Sequence, residues 1–192
     1  MYTSNNKLII IAAPSGAGKT SVTRHLLNMM PEQLAFSVSC ATRQPRNNEK
    51  DRVDYYFITI DDFKQKIDEE KFAEWEMVYE GKYYGTLKSE LERIWHNGQV
   101  PILDIDVKGA LHVQSQYPVN TFSIFIEPPS IEELKKRLMS RGTETEDTLA
   151  ARVNKASYEI SFKGTFNAVI VNDNLNQAFK NAEEVVRKFL AQ

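Results

Sequence analysis

The 192-residue chain has one cysteine and three histidines, carries almost no excess of either charge, and contains no long apolar run. The single thiol, Cys40, cannot close an internal disulfide, which excludes a disulfide-stapled scaffold and fits a reducing compartment. His25, His96 and His112 have no ligand spacing among them and Cys40 has no partner cysteine, so nothing indicates a protein-held metal centre or a hydrolytic triad. Lys and Arg number 24 against 26 Asp and Glu, a net charge of −2, which excludes a generally basic chain that coats nucleic acid. The longest apolar stretch near the start, residues 8–14, is far too short to span a bilayer and lacks the basic-then-apolar pattern of a signal sequence. No internal repeat and no low-complexity segment is visible. We expect a soluble, cytoplasmic chain.

What is present is ordinary for a globular protein: 42% apolar and 26% charged residues, in a length that suits one domain with a sizeable core. Residues 7–13 form a continuous Ile-rich run that reads as a strand buried on both faces. Residues 20–30 follow with Val22, Leu26, Leu27 and Met30 at helical spacing, stopped by Pro31. Further buried strands are expected at 100–105, 122–126 and 169–171. Helical patterns occupy 87–97, 107–116, 131–141 and 148–162, and a last helix runs from Leu175 to Phe189; Ser130 with Glu133 forms a capping box. Strands alternating with helices predict a parallel sheet with helices on both faces. Residues 36–86 break the pattern with short aromatic segments (36–39, 55–60, 76–79) separated by polar turns, which predicts a small mixed-sheet insertion. The polar stretch 141–147 reads as a mobile loop between two helices.

Ala13-Pro14-Ser15-Gly16-Ala17-Gly18-Lys19-Thr20 matches the P-loop pattern G-x-x-x-x-G-K-[ST] except that Ala13 replaces the first glycine. Gly16 and Gly18 let backbone N–H groups turn toward phosphate oxygens, and the following helix adds the positive end of its dipole. Lys19 would reach the β- and γ-phosphates, and the Thr20 hydroxyl would ligate Mg²⁺. Asp104 and Asp106 close an apolar strand and, with a side-chain period of two, point to one side; either a ligand crevice or a strand turning polar at solvent accounts for that, and Asp104 is a candidate to orient hydrated Mg²⁺. Arg43 and Arg46 flank Pro45, while Arg137, Arg141 and Arg152 surround the polar stretch, and guanidinium forks match phosphate oxygens.

These stretches together resemble the guanylate kinase family over residues 7–190. The resemblance is carried by the glycine loop at 13–20, Phe36-Ser-Val-Ser39, Thr42-Arg-Gln-Pro-Arg46, Asp54-Tyr-Tyr-Phe57, Phe72-Ala-Glu-Trp75 and Tyr83-Tyr-Gly-Thr86. Ile102-Leu-Asp-Ile-Asp106, Arg137-Leu, Ser140-Arg-Gly-Thr-Glu144 and Val169-Ile-Val-Asn-Asp173 complete it. It implies one α/β domain with a P-loop NTPase-type parallel sheet flanked by helices: a core at 1–37, 96–136 and 158–192, a mixed-sheet GMP-binding subdomain at 38–95, and a helical lid at 137–157. It implies that Ser39, Glu74, Thr86 and Asp106 contact the base, and that Arg43, Arg46, Tyr55 and Tyr84 hold the GMP phosphate. Residues 13–20 with Arg137 and Asn172 would bind ATP, with Asn172 at the adenine edge, and Arg141 and Arg152 would close on the ATP phosphates. Lys19, Arg43, Asp104, Arg141 and Arg152 form the implied catalytic set. The chain departs from the family pattern at Ala13 and Ala41, and at Asn48 and Arg52, turn positions where glycine is common.

The implied reaction is Mg²⁺-dependent, in-line phosphoryl transfer from ATP to GMP or dGMP in purine nucleotide metabolism, by a monomer or homodimer with no nucleic-acid or membrane partner. Guanine offers two adjacent donors, the ring N1–H and the 2-amino group, and a carboxylate only accepts, so Glu74 suits it. Two rivals are a catalytically inert guanylate-kinase-like module that grips protein ligands and a kinase of a ribose bisphosphate. The intact Lys19, Thr20, Arg141 and Arg152 oppose the first, and Ser39, Glu74 and Tyr84 oppose the second.

Overall fold

The structure, a computed structural model, describes residues 6–46, 49–140 and 146–192. Its strands are β1 (Leu8–Ala12), β2 (Leu34–Phe36), β3 (Ser39–Ala41), β4 (Tyr55–Phe57), β5 (Phe72–Tyr79), β6 (Lys82–Leu87), β7 (Val100–Asp104), β8 (Thr121–Glu127) and β9 (Ala168–Val171). Its helices are α1 (Lys19–Met29), α2 (Ile60–Asp68), α3 (Lys88–His96), α4 (Val107–Gln116), α5 (Ile131–Met139), α6 (Glu146–Ile160) and α7 (Leu175–Leu190). A parallel sheet of order β2-β7-β1-β8-β9, flanked by helices, and a separate mixed sheet of order β4-β3-β6-β5 account for these strands. The expected α/β class with a mixed-sheet insertion is what the chain adopts. Among the described residues no helix is long and apolar enough to cross a membrane.

The described chain divides into two compact units. One, the cradle unit, comprises residues 9–31, 104–107, 122–140 and 146–192. Ile9, Ile10, Ile11 and Ala12 of β1 are fully buried, as a strand covered on both faces requires. In α1, Val22 and Leu26 face inward, and the helix stops before Pro31, which cannot continue it. Ser130 caps α5 by accepting from the Glu133 N–H at 3.0 Å, one half of the capping box expected there, the Glu133 carboxylate instead accepting from Arg137 one turn on; Leu134 and Leu138 of that helix pack with Leu149 and Ala156 of α6. Asn174 caps α7 in the same way, accepting from Gln177 N–H at 3.1 Å, and Ala178, Ala182, Val186 and Phe189 form its buried stripe.

The other, the pocket unit, comprises residues 6–8, 32–46, 49–103 and 108–121. Here β2 runs parallel to β7, β3 pairs parallel with β4 and antiparallel with β6, and β6 pairs antiparallel with β5. Cys40, Phe63 and Phe72 make the centre of the mixed-sheet core, with Phe63 and Phe72 stacked at 4.3 Å. Burial pushes the Cys40 thiol up to about 12.

Three local readings differ from the sequence expectation. The segment read as one strand at 36–39 divides, Phe36 ending β2 and Ser39 opening β3 in the other sheet. The aromatic run read as extended through Ile60 ends at Phe57, because Thr59 caps α2 by accepting from Asp62 N–H at 3.0 Å, and Asp61 and Asp62 suit the first turn. That local capping outweighs the β preference of Ile58 and Ile60. The short segment at 76–79 is the second half of the eight-residue β5.

Arg52, where glycine was expected to be common, adopts φ +62°. Its N–H closes the turn on Tyr55 O at 2.8 Å, so the backbone there is set by the turn rather than by the residue. A side chain in that region costs roughly 1–2 kcal/mol. Arg52→Gly is expected to raise the stability by about 1 kcal/mol and the melting midpoint by about 3 °C, read by thermal unfolding.

Candidate active site

In the cradle unit, β1 delivers the chain into the turn at residues 14–18. Ala17 N–H donates to Pro14 O at 3.1 Å, and Gly16 and Gly18 take φ +94° and +99°, a region that strains any L side chain. Space restricts the loop as well: a Cβ on Gly18 would lie 2.1 Å from Asn172 Nδ2. α1 begins at Lys19 with no side-chain cap on its first amides, and such an end favours an anion. Lys19 Nζ is paired with the Asp104 carboxylate and donates to Ile105 O at 3.0 Å. Thr20 is exposed in the first turn.

The remaining predicted donor-side residues of this unit are arranged around the same loop. Arg152 Nη1 donates to Ser15 Oγ at 3.4 Å. Arg137 donates from Nε to Glu133 at 3.2 Å and from Nη2 to Asn172 O at 3.1 Å. Asn172 is only 4% exposed, and its Nδ2 donates to Ala17 O at 2.8 Å. Asp106 lies two residues beyond the end of β7. Arg141 lies outside the described residues. Glu159 of α6, which sequence reasoning did not single out, is a buried carboxylate whose burial pushes its pKa up, and it feels the charges of Lys155, Asp106 and Lys19.

In the pocket unit, β3, β5 and β6 bring three predicted base-contacting residues together. Glu74 is 5% exposed; its Oε1 accepts from Thr86 Oγ1 at 2.7 Å, and Thr86 Oγ1 lies 3.3 Å from Ser39 Oγ. The register explains the grouping, since Glu74 faces Thr86 directly across the β5–β6 pair. Arg43, Tyr55 and Tyr84 form a second group. Arg43 Nε donates to Tyr84 Oη at 3.0 Å, and its guanidinium lies 5.0 Å from the centre of the Tyr55 ring. Arg46 is exposed, with its backbone N–H donating to Glu49 Oε2 at 2.8 Å.

Two acids of this unit were missed. Glu49 takes the Arg43 fork bidentately at 2.5 and 2.7 Å. The hydrogen bonds from Arg43 hold Glu49 below the usual carboxylate range and hold Arg43 firmly protonated. Its only signal in the sequence is an acid three residues after Arg46. Glu90 is buried on α3, beside Leu91 and Ile94 on the apolar face. Burial opposes its charge, but hydrogen bonds from Arg93, Val38 N–H and Tyr56 Oη outweigh that and lower its pKa. Among the described residues no group of three or more His, Cys, Asp or Glu could hold a metal ion.

A parallel sheet whose strand opens through a glycine loop into an uncapped helix, with a lysine at the first turn, defines an α/β protein of the nucleotide-binding class. The family model described as "Guanylate kinase" matches residues 5–189. Guanylate kinase of Bacteroides fragilis is 43% identical over 188 residues, covering 98% of this chain and 92% of the relative, and that of Clostridium acetobutylicum is 45% identical over 179 residues, covering 93% and 84%. The crystal structure of guanylate kinase from Anaplasma phagocytophilum superposes with a TM-score of 0.76 at 28% identity, covering 97% of this chain and 87% of that one. The chain belongs to the guanylate kinase family and is an enzyme of that type, a kinase that phosphorylates GMP.

Because the folded state holds Glu90 below its ordinary pKa of 4.5, its ionisation stabilises the fold above that value, and the gain is lost as pH falls through the lowered one. Glu90→Gln is expected to cost about 1–3 kcal/mol at neutral pH and to flatten the acid limb of the stability curve, read by urea unfolding across pH.

Proposed function

We propose that the enzyme transfers the γ-phosphoryl group of ATP to GMP, and to dGMP, in line and with Mg²⁺, as a step of purine nucleotide metabolism in the cytoplasm. The reading is carried by one observation, the buried Glu74 carboxylate hydrogen-bonded to Thr86 beside Ser39. A buried acceptor-only group suits the N1–H and 2-amino donors of guanine. Adenine would oppose it with a ring-nitrogen acceptor, leaving a lone pair unsatisfied at about 1–3 kcal/mol.

The residues divide the work by chemistry. In the pocket unit Ser39, Glu74 and Thr86 read the base and Arg43, Arg46, Tyr55 and Tyr84 hold the acceptor phosphate, the segment 38–95 serving as the GMP-binding part. The loop 13–20, Arg137 and Asn172 bind the donor, and the lid at 137–157 brings Arg141 and Arg152 to its phosphates. Lys19 lies at the first turn of α1, where the γ-phosphate charge grows, and Asp104 fixes its ammonium. No covalent enzyme intermediate is needed, because positioning and charge supply the catalysis.

The Thr20 hydroxyl and the Asp104 carboxylate are hard oxygen ligands that would hold Mg²⁺, and two such groups suit an ion that keeps waters and comes with the nucleotide. When bound, Mg²⁺ neutralises phosphate charge.

A coupled assay of ADP release tests the assignment. Glu74→Ala is expected to retain ATP binding while lowering the GMP-over-AMP preference in kcat/KM by about 10- to 100-fold. Unchanged GMP turnover would refute the base-reading role. Lys19→Ala is expected to lower kcat by about 100-fold or more with an unaltered circular dichroism spectrum, and near-normal turnover would remove Lys19 from the mechanism.

A further inference from the structure

Asn172 follows the end of β9 and is fixed on three sides within the cradle unit. Its N–H donates to Glu127 O at 2.8 Å, its carbonyl accepts from Arg137 Nη2 at 3.1 Å, and its Nδ2 donates to Ala17 O at 2.8 Å. The carboxamide also fills the space where a Gly18 side chain would begin, 2.1 Å from an ideal Cβ there. The glycine is therefore needed for the close approach of Asn172 as well as for its positive φ. The Ala17 carbonyl and the Gly18 N–H belong to one planar peptide unit at the entry to α1, so the direction of that amide depends on what holds the Ala17 carbonyl.

We propose that Asn172 is a positioning residue, a strut that holds the glycine loop from behind so that its amides face the donor's phosphates whatever base the donor carries. Through the Asn172 carbonyl, Arg137 is pinned to the same strut. This deepens the expected place of Asn172 at the adenine edge into a role in the phosphate cradle, and it rests on reading residues 13–20 as the donor site.

The discriminating probe is a ligand without a base. Isothermal titration of the full-length wild type and of Asn172→Ala, with inorganic tripolyphosphate and with ATP at one magnesium concentration, is expected to show both ligands weakened by the same factor. That factor is about tenfold, the scale of one lost buried hydrogen bond. The KM for GMP is expected to stay unchanged, a split that general loosening of the fold would not give. A loss confined to ATP would make Asn172 a base reader and overturn the strut, and so would unchanged binding of both ligands. If Asn172→Ala does not fold, Asn172→Leu, which keeps a branched side chain without the donor, carries the same titration. Failure of the wild type to bind either ligand would instead remove the donor-site reading, and the strut with it.

Discussion

Fixed backbone donors that converge on one point hold an anion without help from net charge, and that requires a turn whose amides cannot relax elsewhere. Here the turn lies between β1 and α1. A strand buried on both faces feeds it, two glycines with positive φ shape it, and the Asn172 carboxamide donates to its Ala17 carbonyl. Lys19 supplies the one full charge in the first helical turn, and the Asp104 carboxylate and the Ile105 carbonyl hold its ammonium in place. The chain's near-zero net charge makes this local arrangement the more important, since no general field gathers anions for it.

The pocket unit faces the opposite problem, placing carboxylates inside a protein. It does so by giving each one donors. Glu90 accepts from a guanidinium, a backbone N–H and a phenol. Glu49 takes both arms of Arg43, and Glu74 takes the Thr86 hydroxyl. A buried acid without such partners would protonate and lose its value as an acceptor. Glu49 and Glu90 are held below the usual carboxylate range by such donors, and Glu74, the acid proposed to read the base, is buried against the Thr86 hydroxyl.

Much of this was legible along the chain because it is local. The Ile run of β1, the Ser130 cap of α5 and the amphipathic stripe of α7 are patterns of neighbouring residues, and the structure carries all three, although the Glu133 carboxylate of the expected capping box turns to Arg137. The split of 36–39 between two sheets was not legible, since both halves are short and extended and only their partners differ. The helix after Thr59 was missed because β-branched residues masked its cap. Glu90 was missed because Val38 and Tyr56 reach it from distant parts of the chain, and Glu49 because no spacing tells an acid that takes a nearby arginine fork from a solvated one.

Composition, spacing and short-range chemistry were enough to settle the α/β class, the glycine loop and the lysine that follows it, because backbone conformation and side-chain period are properties of a few consecutive residues. Which atoms meet was decided only on folding. The opposition of Glu74 and Thr86 depends on strand register, the grip of Asn172 on Ala17 joins residues far apart in the chain, and neither has a spacing that the chain could display before it closed on itself.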